Sequence, residues 1–334
     1  MHSFIIVCIS VVVALTTAVD VTLNTNVFSQ TDHPSMKLIP KDFQQLAKEV
    51  GPESPLLIFI RSGEATHNNN HHIKDLYHRM LSSLDDNSST SWNRDQRLQI
   101  FDPDLSEQGC QQVKNLQGLL ESSGWMKFLD DIDGVQYLSS PLTRSIQTAL
   151  LAIPKAKFTL DDGVRQRMTP LGPDVRRSYD SELTIGSEKA VSVQEKFKHY
   201  ENRLVYKMAK LDSDNIVDKF GFYSEEDPNL DAGKLESDED LDQRITNWIN
   251  MIHPKHQKQS KVVKIVDKVL PDSIENKLVK QPPKVYVIVA NSQFITGVIE
   301  HFNLPILQDQ DNRPNFCEVI PLMLQFKDNS STSI

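Results

Sequence analysis

Five apolar residues, Leu56 to Ile60, run directly into Arg61-Ser62-Gly63-Glu64-Ala65-Thr66-His67-Asn68. A second apolar stretch, Val135 to Leu138, runs into Ser139-Ser140-Pro141-Leu142-Thr143-Arg144, and a third, Val285 to Ala290, into Asn291-Ser292-Gln293-Phe294. If each stretch is a strand, each polar segment is the loop at its carboxyl end, where open α/β sheets bind ligands. Two of these loops carry an arginine. A guanidinium is a rigid fork of donors that matches carboxylate or phosphate oxygens, so Arg61 and Arg144 together suit an oxyanion or phosphate clamp. The competing reading is that each caps a helix or pairs with one of the 45 carboxylates. A metal is a further option for His67-Asn68-Asn69-Asn70-His71-His72. Adjacent His71 and His72 cannot both face one site on a regular helix or strand, and no Cys or carboxylate frames them at ligand spacing. These residues therefore read as polar loop, and neither metal nor cofactor is expected.

The elements that must position these loops follow from periodicity. Leu56 to Ile60 has the unbroken apolar pattern of a strand buried on both faces. Phe43, Leu46 and Val50 share one side of a helix within Pro40 to Val50, and Val113, Leu116 and Leu120 form the stripe of a helix over Ser106 to Ser123, stopped by Gly124. Pro141 is expected at the first position of the next helix. The pattern also predicts a long amphipathic helix over Val193 to Leu211. A Ser237–Asp240 capping box should open a helix running to Ile252, with Pro254 closing it. A helix over Phe294 to Phe302 and a strand over Val319 to Phe326 complete the series. Strands alternating with helices imply an α/β fold, a three-layer sandwich around a mainly parallel sheet.

The order of these motifs resembles the histidine phosphatase superfamily, the phosphoglycerate mutase-like proteins, over residues 55–326. Arg61-Ser62-Gly63-Glu64 resembles the family's R-H-G-E, and Ala65-Thr66-His67-Asn68 its G-x-H-N extension. Phe101 to Gly109 (FDPDLSEQG) resembles D-P-x-L-T-x-x-G, and Ser140 to Ala149 (SPLTRSIQTA) resembles S-P-L-x-R-x-x-Q-T-A. Val287 to Phe294 resembles V-x-V-T-H-G-x-F. The resemblance implies phosphate binding by Arg61 and Arg144, supported by Gly63, Glu64, His67 and Asn68.

The departures bear on chemistry. Where the family has its nucleophilic histidine, this chain has Ser62. Where the family has a second histidine, it has Asn291, and the general-acid position aligns with Gln166. A serine hydroxyl needs a neighbouring base, and an amide cannot deliver a proton, so the resemblance implies a scaffold deficient in family-type turnover. Three rescues stand beside this. Ser62 acting with His67 as base is one. The second is an acid from Asp161, Asp162 or Asp174, which leaves the nucleophile unsolved. The third is an inactivated variant of an active parent, against which three separate changes argue.

Composition sets the remaining bounds. The net charge of −9 disfavours a general nucleic-acid binder, and three cysteines are too few for a disulfide scaffold. Phe4 to Leu15 with Thr16-Thr17-Ala18 reads as a signal peptide over 1–18, preferred to an uncleaved anchor; no later segment is apolar enough to span a membrane, so secretion is expected. A loose leader would span 19–40 and one domain 41–334, with insertions around 82–97, 161–190 and 212–240. Export makes Asn87 and Asn329 glycosylation candidates and leaves Cys110 and Cys317 either paired or as two free thiols. The basic run Lys255 to Lys264 reads as a solvated loop or an anion patch. Three readings follow: a secreted pseudo-phosphatase whose cleft takes a phosphorylated small molecule or protein, a secreted acid phosphatase with a rearranged site, and a glycoprotein acting through its insertions.

Overall fold

The computed structural model describes residues 9–13, 19–24, 28–29, 39–40, 43–51, 54–69, 101–168, 173–185, 188–206, 236–252, 283–302, 304 and 313–327. Outside them lie His71, His72, Asn87, Asn329, Pro254, the basic run 255–264, the insertion 82–97 and most of 212–240. Among the described residues one sheet has eight strands: β1 (Ile9–Val13), β2 (Val19–Asn24), β3 (Leu56–Arg61), β4 (Val135–Ser139), β5 (Phe158–Leu160), β6 (Leu204–Tyr206), β7 (Val285–Ala290) and β8 (Val319–Lys327). Their spatial order is β1-β2-β8-β3-β7-β4-β5-β6. The run β3-β7-β4-β5-β6 is parallel throughout, while β8 is antiparallel to both β3 and β2. Four neighbouring strands of that run, β3, β7, β4 and β5, therefore end side by side.

Alternation along the strands separates two cores. Leu56, Ile58 and Ile60 of β3 join Val285, Val287 and Val289 of β7 on one face, under α1 (Phe43–Glu49), α2 (Glu107–Ser122), α3 (Trp125–Asp131) and α4 (Thr143–Ala152). Leu57, Phe59, Tyr286 and Ile288 face the other way, under α5 (Asp238–Ile252) and α6 (Ser292–His301). The result is a three-layer α/β sandwich. Burying each such aliphatic side chain contributes roughly 1.5–3 kcal/mol, which is why strands covered on both faces carry no polar alternation.

Local chemistry explains the boundaries. Ser106 caps α2 by accepting from the Gly109 amide at 2.9 Å. Gly124 turns the chain at φ 88°, in the left-handed region that glycine tolerates. Ser237 and Asp240 form the reciprocal capping box, with bonds of 3.1 and 3.2 Å. Some expectations are corrected. Pro141 is not the first residue of α4, which starts at Thr143, because Asp102 from a separate segment accepts from both the Thr143 amide and its hydroxyl, at 2.7 and 2.6 Å. Over its described part the long helix expected for Val193 to Leu211 is instead a helical turn Val193–Lys196, a 3-10 segment Lys198–Arg203 and then β6, and 207–211 lie outside the described residues. Pairing of β6 with β5 won over helical periodicity, and Arg203 secures it by donating to the carbonyls of Leu150, Ile153 and Ala156. The helix expected from Phe294 starts two residues earlier, at Ser292. The leader 19–40, expected to be loose, contains β2, which pairs with β8 and with β1.

Candidate functional site

Arg61 is the last residue of β3, and the loop after it is pinned from four directions. The Ser62 amide donates to the Ala290 carbonyl at 2.9 Å, Gly63 N to Thr148 Oγ1 at 3.0 Å, Glu64 N to Gln112 Oε1 at 2.9 Å, and Ala65 N to Asn68 Oδ1 at 3.2 Å. These amides are spent on protein acceptors, so any anion held here must be held mainly by side chains. Glu64 accepts from Ser106 Oγ at 2.6 Å, tying the loop to the start of α2. Gly109 makes that approach feasible, since a Cβ there would stand 2.0 Å from the Glu64 carbonyl oxygen. The residues expected to support the clamp, Gly63, Glu64 and Asn68, thus act as struts.

The ends of β3, β7, β4 and β5 surround a cavity of about 170 Å³. Its walls include Arg61, Ser62, His67 and Asn68 from the β3 loop, Arg144 from α4, Gln166 and Asp174 after β5, and Asn291, Ser292 and Gln293 after β7. Arg313 and Phe316, from the segment leading into β8, close it. The structure therefore brings Arg61, Ser62, His67, Asn68, Arg144, Gln166, Asp174 and Asn291 to one cavity, while Gly63, Glu64, Asp161 and Asp162 do not line it.

Electrostatics and hydrogen bonding give each a distinct state. Arg61 stacks on Phe316 at 3.9 Å and donates to the Pro314 carbonyl. Burial and then the nearby Arg313 bring its pKa down to about 10, so it remains a cation at neutral pH. Arg144 is buried and donates to the Pro173 carbonyl at 2.6 Å and to Asp174 Oδ1 at 2.5 Å. Asn291 donates from Nδ2 to Ser62 Oγ at 3.0 Å, while its Oδ1 accepts from Ser145 Oγ at 3.2 Å. Gln166 Oε1 accepts from the Gln293 amide at 3.1 Å, a fixed amide rather than an acid. His67 is buried beside Arg144, and both effects hold its pKa down at about 3. A neutral imidazole of such low proton affinity is a poor general base.

The alternative acids separate cleanly. Asp161 caps the turn Asp162–Val164 by accepting from the Gly163 amide at 2.8 Å. Asp162 is buried between Arg176, at 2.9 Å, and Arg165, at 3.5 Å, with the Tyr179 hydroxyl donating to it at 3.2 Å. Neither lines the cavity; Asp174 does. Cys110 and Cys317 are both free thiols, and burial pushes the Cys317 thiol up to about 12.

Sequence reasoning missed Arg313, Ser292, Gln293 and Phe316. Ser292 and Gln293 sat inside a quoted motif, so only their roles went unread. Arg313 and Phe316 carry no local signal: they reach the site because β8 pairs beside β3, a neighbour relation absent from the linear pattern.

Residues 88–168 match the family model described as the histidine phosphatase superfamily (branch 1). Among curated proteins none matches the sequence. Solved structures with similar chains include a phosphoglycerate mutase from Bacillus anthracis str. Sterne, at 16% identity and TM-score 0.35, covering 83% of this chain and 90% of that one. A mycobacterial glucosyl-3-phosphoglycerate phosphatase with VO3 has 13% identity and TM-score 0.33, covering 82% and 97%. The ecdysone phosphate phosphatase from Bombix mori with tungstate has 9% identity and TM-score 0.35, covering 80% and 88%.

Proposed function

We propose that this chain is a phosphoglycerate mutase-like member of the histidine phosphatase superfamily and a secreted phosphate-binding protein deficient in phosphoryl transfer. The observation that carries the reading is the 3.0 Å hydrogen bond from Asn291 to Ser62 Oγ, at the strand end where the family resemblance expects an imidazole nucleophile facing a second imidazole. The amide occupies a lone pair of the hydroxyl and takes no proton from it. His67, with a pKa near 3, supplies little basicity for activating Ser62. Gln166 holds no proton to give a leaving group. What survives is recognition: Arg61 and Arg144 are cations with their side chains fixed by the protein, so little ordering is left to complete when an anion arrives. Asn291 still offers a hydrogen bond, worth roughly 1.5–3 kcal/mol to a charged ligand.

A second reading is a secreted acid phosphatase with a rearranged site, favoured by Asp174, the carboxylate on the cavity wall among the described residues. Hydrolysis of p-nitrophenyl phosphate from pH 3 to 8 separates the two. The binding reading expects the same background rate from the chain and from Ser62→Ala, together with saturable phosphate binding that Arg144→Ala abolishes. Turnover lost in both Ser62→Ala and Asp174→Asn would establish the hydrolase instead. Export rests on the apolar run Phe4 to Leu15 and the small residues Thr16 to Ala18, with Asn87 and Asn329 as the glycan acceptors. A secretory host is expected to release a chain beginning at Val19, which lacks the edge strand β1 and leaves β2 as the edge of the sheet, as N-terminal sequencing would detect.

A further inference from the structure

A second cavity, of about 270 Å³, shares two of its walls, Gln293 and Arg313, with the first. Charge is distributed differently between them. In the inner cavity Arg61, Arg144 and Arg313 face one carboxylate, Asp174, which Arg144 engages at 2.5 Å. Counted over the cavity walls the surplus is two positive charges, and the buried Glu318 carboxylate near Arg61 offsets part of it, so the inner cavity remains cationic, as a phosphoryl anion requires. In the outer cavity Arg167 is paired with Asp238 at 3.0 Å, so that Glu300 remains once Arg313 is assigned to the inner anion. The outer walls then carry a net negative charge.

We infer that Arg313 grips the phosphoryl group from the shared wall while the body of the ester lies in the second cavity. The ligand is then a phosphomonoester of a compact polar alcohol bearing no second anionic group. This rests on the inner cavity being the phosphate site proposed above. The geometry also accounts for the neutral Asn291: the cation lost at the end of β7 is replaced by one carried on the segment leading into β8. Arg61 and Arg313 are close enough to repel, and an anion between them converts that repulsion into two charge-assisted contacts.

Isothermal titration of the full chain with orthophosphate, glycerol phosphate and 3-phosphoglycerate tests this. The last two differ in whether the body carries a carboxylate. Glycerol phosphate is expected to bind more tightly than 3-phosphoglycerate. Arg313→Ala, at an exposed position, is expected to weaken glycerol phosphate and orthophosphate alike, by about tenfold or more, the loss expected for a charged hydrogen bond. Thr296 lies on the wall of the outer cavity and not of the inner one, so Thr296→Trp, which fills the outer cavity, is expected to weaken glycerol phosphate and leave orthophosphate unchanged. Undiminished binding in Arg313→Ala, equal effects of Thr296→Trp on both ligands, or a preference for 3-phosphoglycerate would each overturn the inference while leaving the phosphate cleft standing. Binding of none of the three ligands by the unmutated chain would remove the cleft reading and this inference together.

Discussion

His67 shows how one side chain can be present at a site and yet unsuited to the work its type suggests. Burial and Arg144 hold its pKa at about 3, against an ordinary 6.5. The unfolded chain takes up a proton at this residue below pH 6.5, and the folded chain does not until about pH 3. Folding stability is therefore intact above 6.5 and is lost as pH falls towards 3, at up to about 1.4 kcal/mol per pH unit. Unfolding in urea between pH 7 and 4 should show a shallower acid decline in His67→Gln than in the unmutated chain. Parallel declines would mean that the imidazole is hydrated after all. The same residue marks what the sequence could convey. Its position in the motif was legible, whereas its depressed basicity is set by burial and by an arginine 77 positions away, which no local pattern encodes.

Helix α2 carries two glycines with opposite roles, and comparing them isolates what that helix does for the site. Gly109, in the first turn, lies where a Cβ would stand 2.0 Å from the Glu64 carbonyl oxygen; Gly118 has no atom within 4 Å of its would-be Cβ. Gly118→Ala should stabilise the protein by about 0.5–1 kcal/mol, the helix preference of alanine over glycine. Gly109→Ala should instead destabilise it by about 1–3 kcal/mol, as overpacking does, and weaken phosphate binding by pushing the 62–65 loop off its supports. Urea unfolding and phosphate titration of the two variants check both signs. At this scale the sequence was legible wherever apolar period and capping agreed, as in β3, α2 and the start of α5. It misled where a tertiary partner decided the matter: Asp102 moved the start of α4 past Pro141, and β5 drew Leu204–Tyr206 out of a helix.

For the whole molecule, the alternation of strands and helices revealed the sandwich, but not the order of strands within it. That order matters, because β8 beside β3 is what delivers Arg313 and Phe316 to Arg61. A ligand held by segments this dispersed binds the folded chain alone, so it should raise the unfolding free energy, by about 2.7 kcal/mol at a hundredfold excess over its Kd. Thermal unfolding with and without phosphate would measure the rise, and an unchanged midpoint would count against the cleft. The bond from Asn291 to Ser62 spans 229 residues of chain, and β7 enters the sheet between β3 and β4, both made long before it. On the ribosome, then, the first arginine of the clamp emerges with most of the protein still untranslated. The cleft can be complete only late, once β7 has entered between β3 and β4 and the segment before β8 has supplied Arg313 and Phe316.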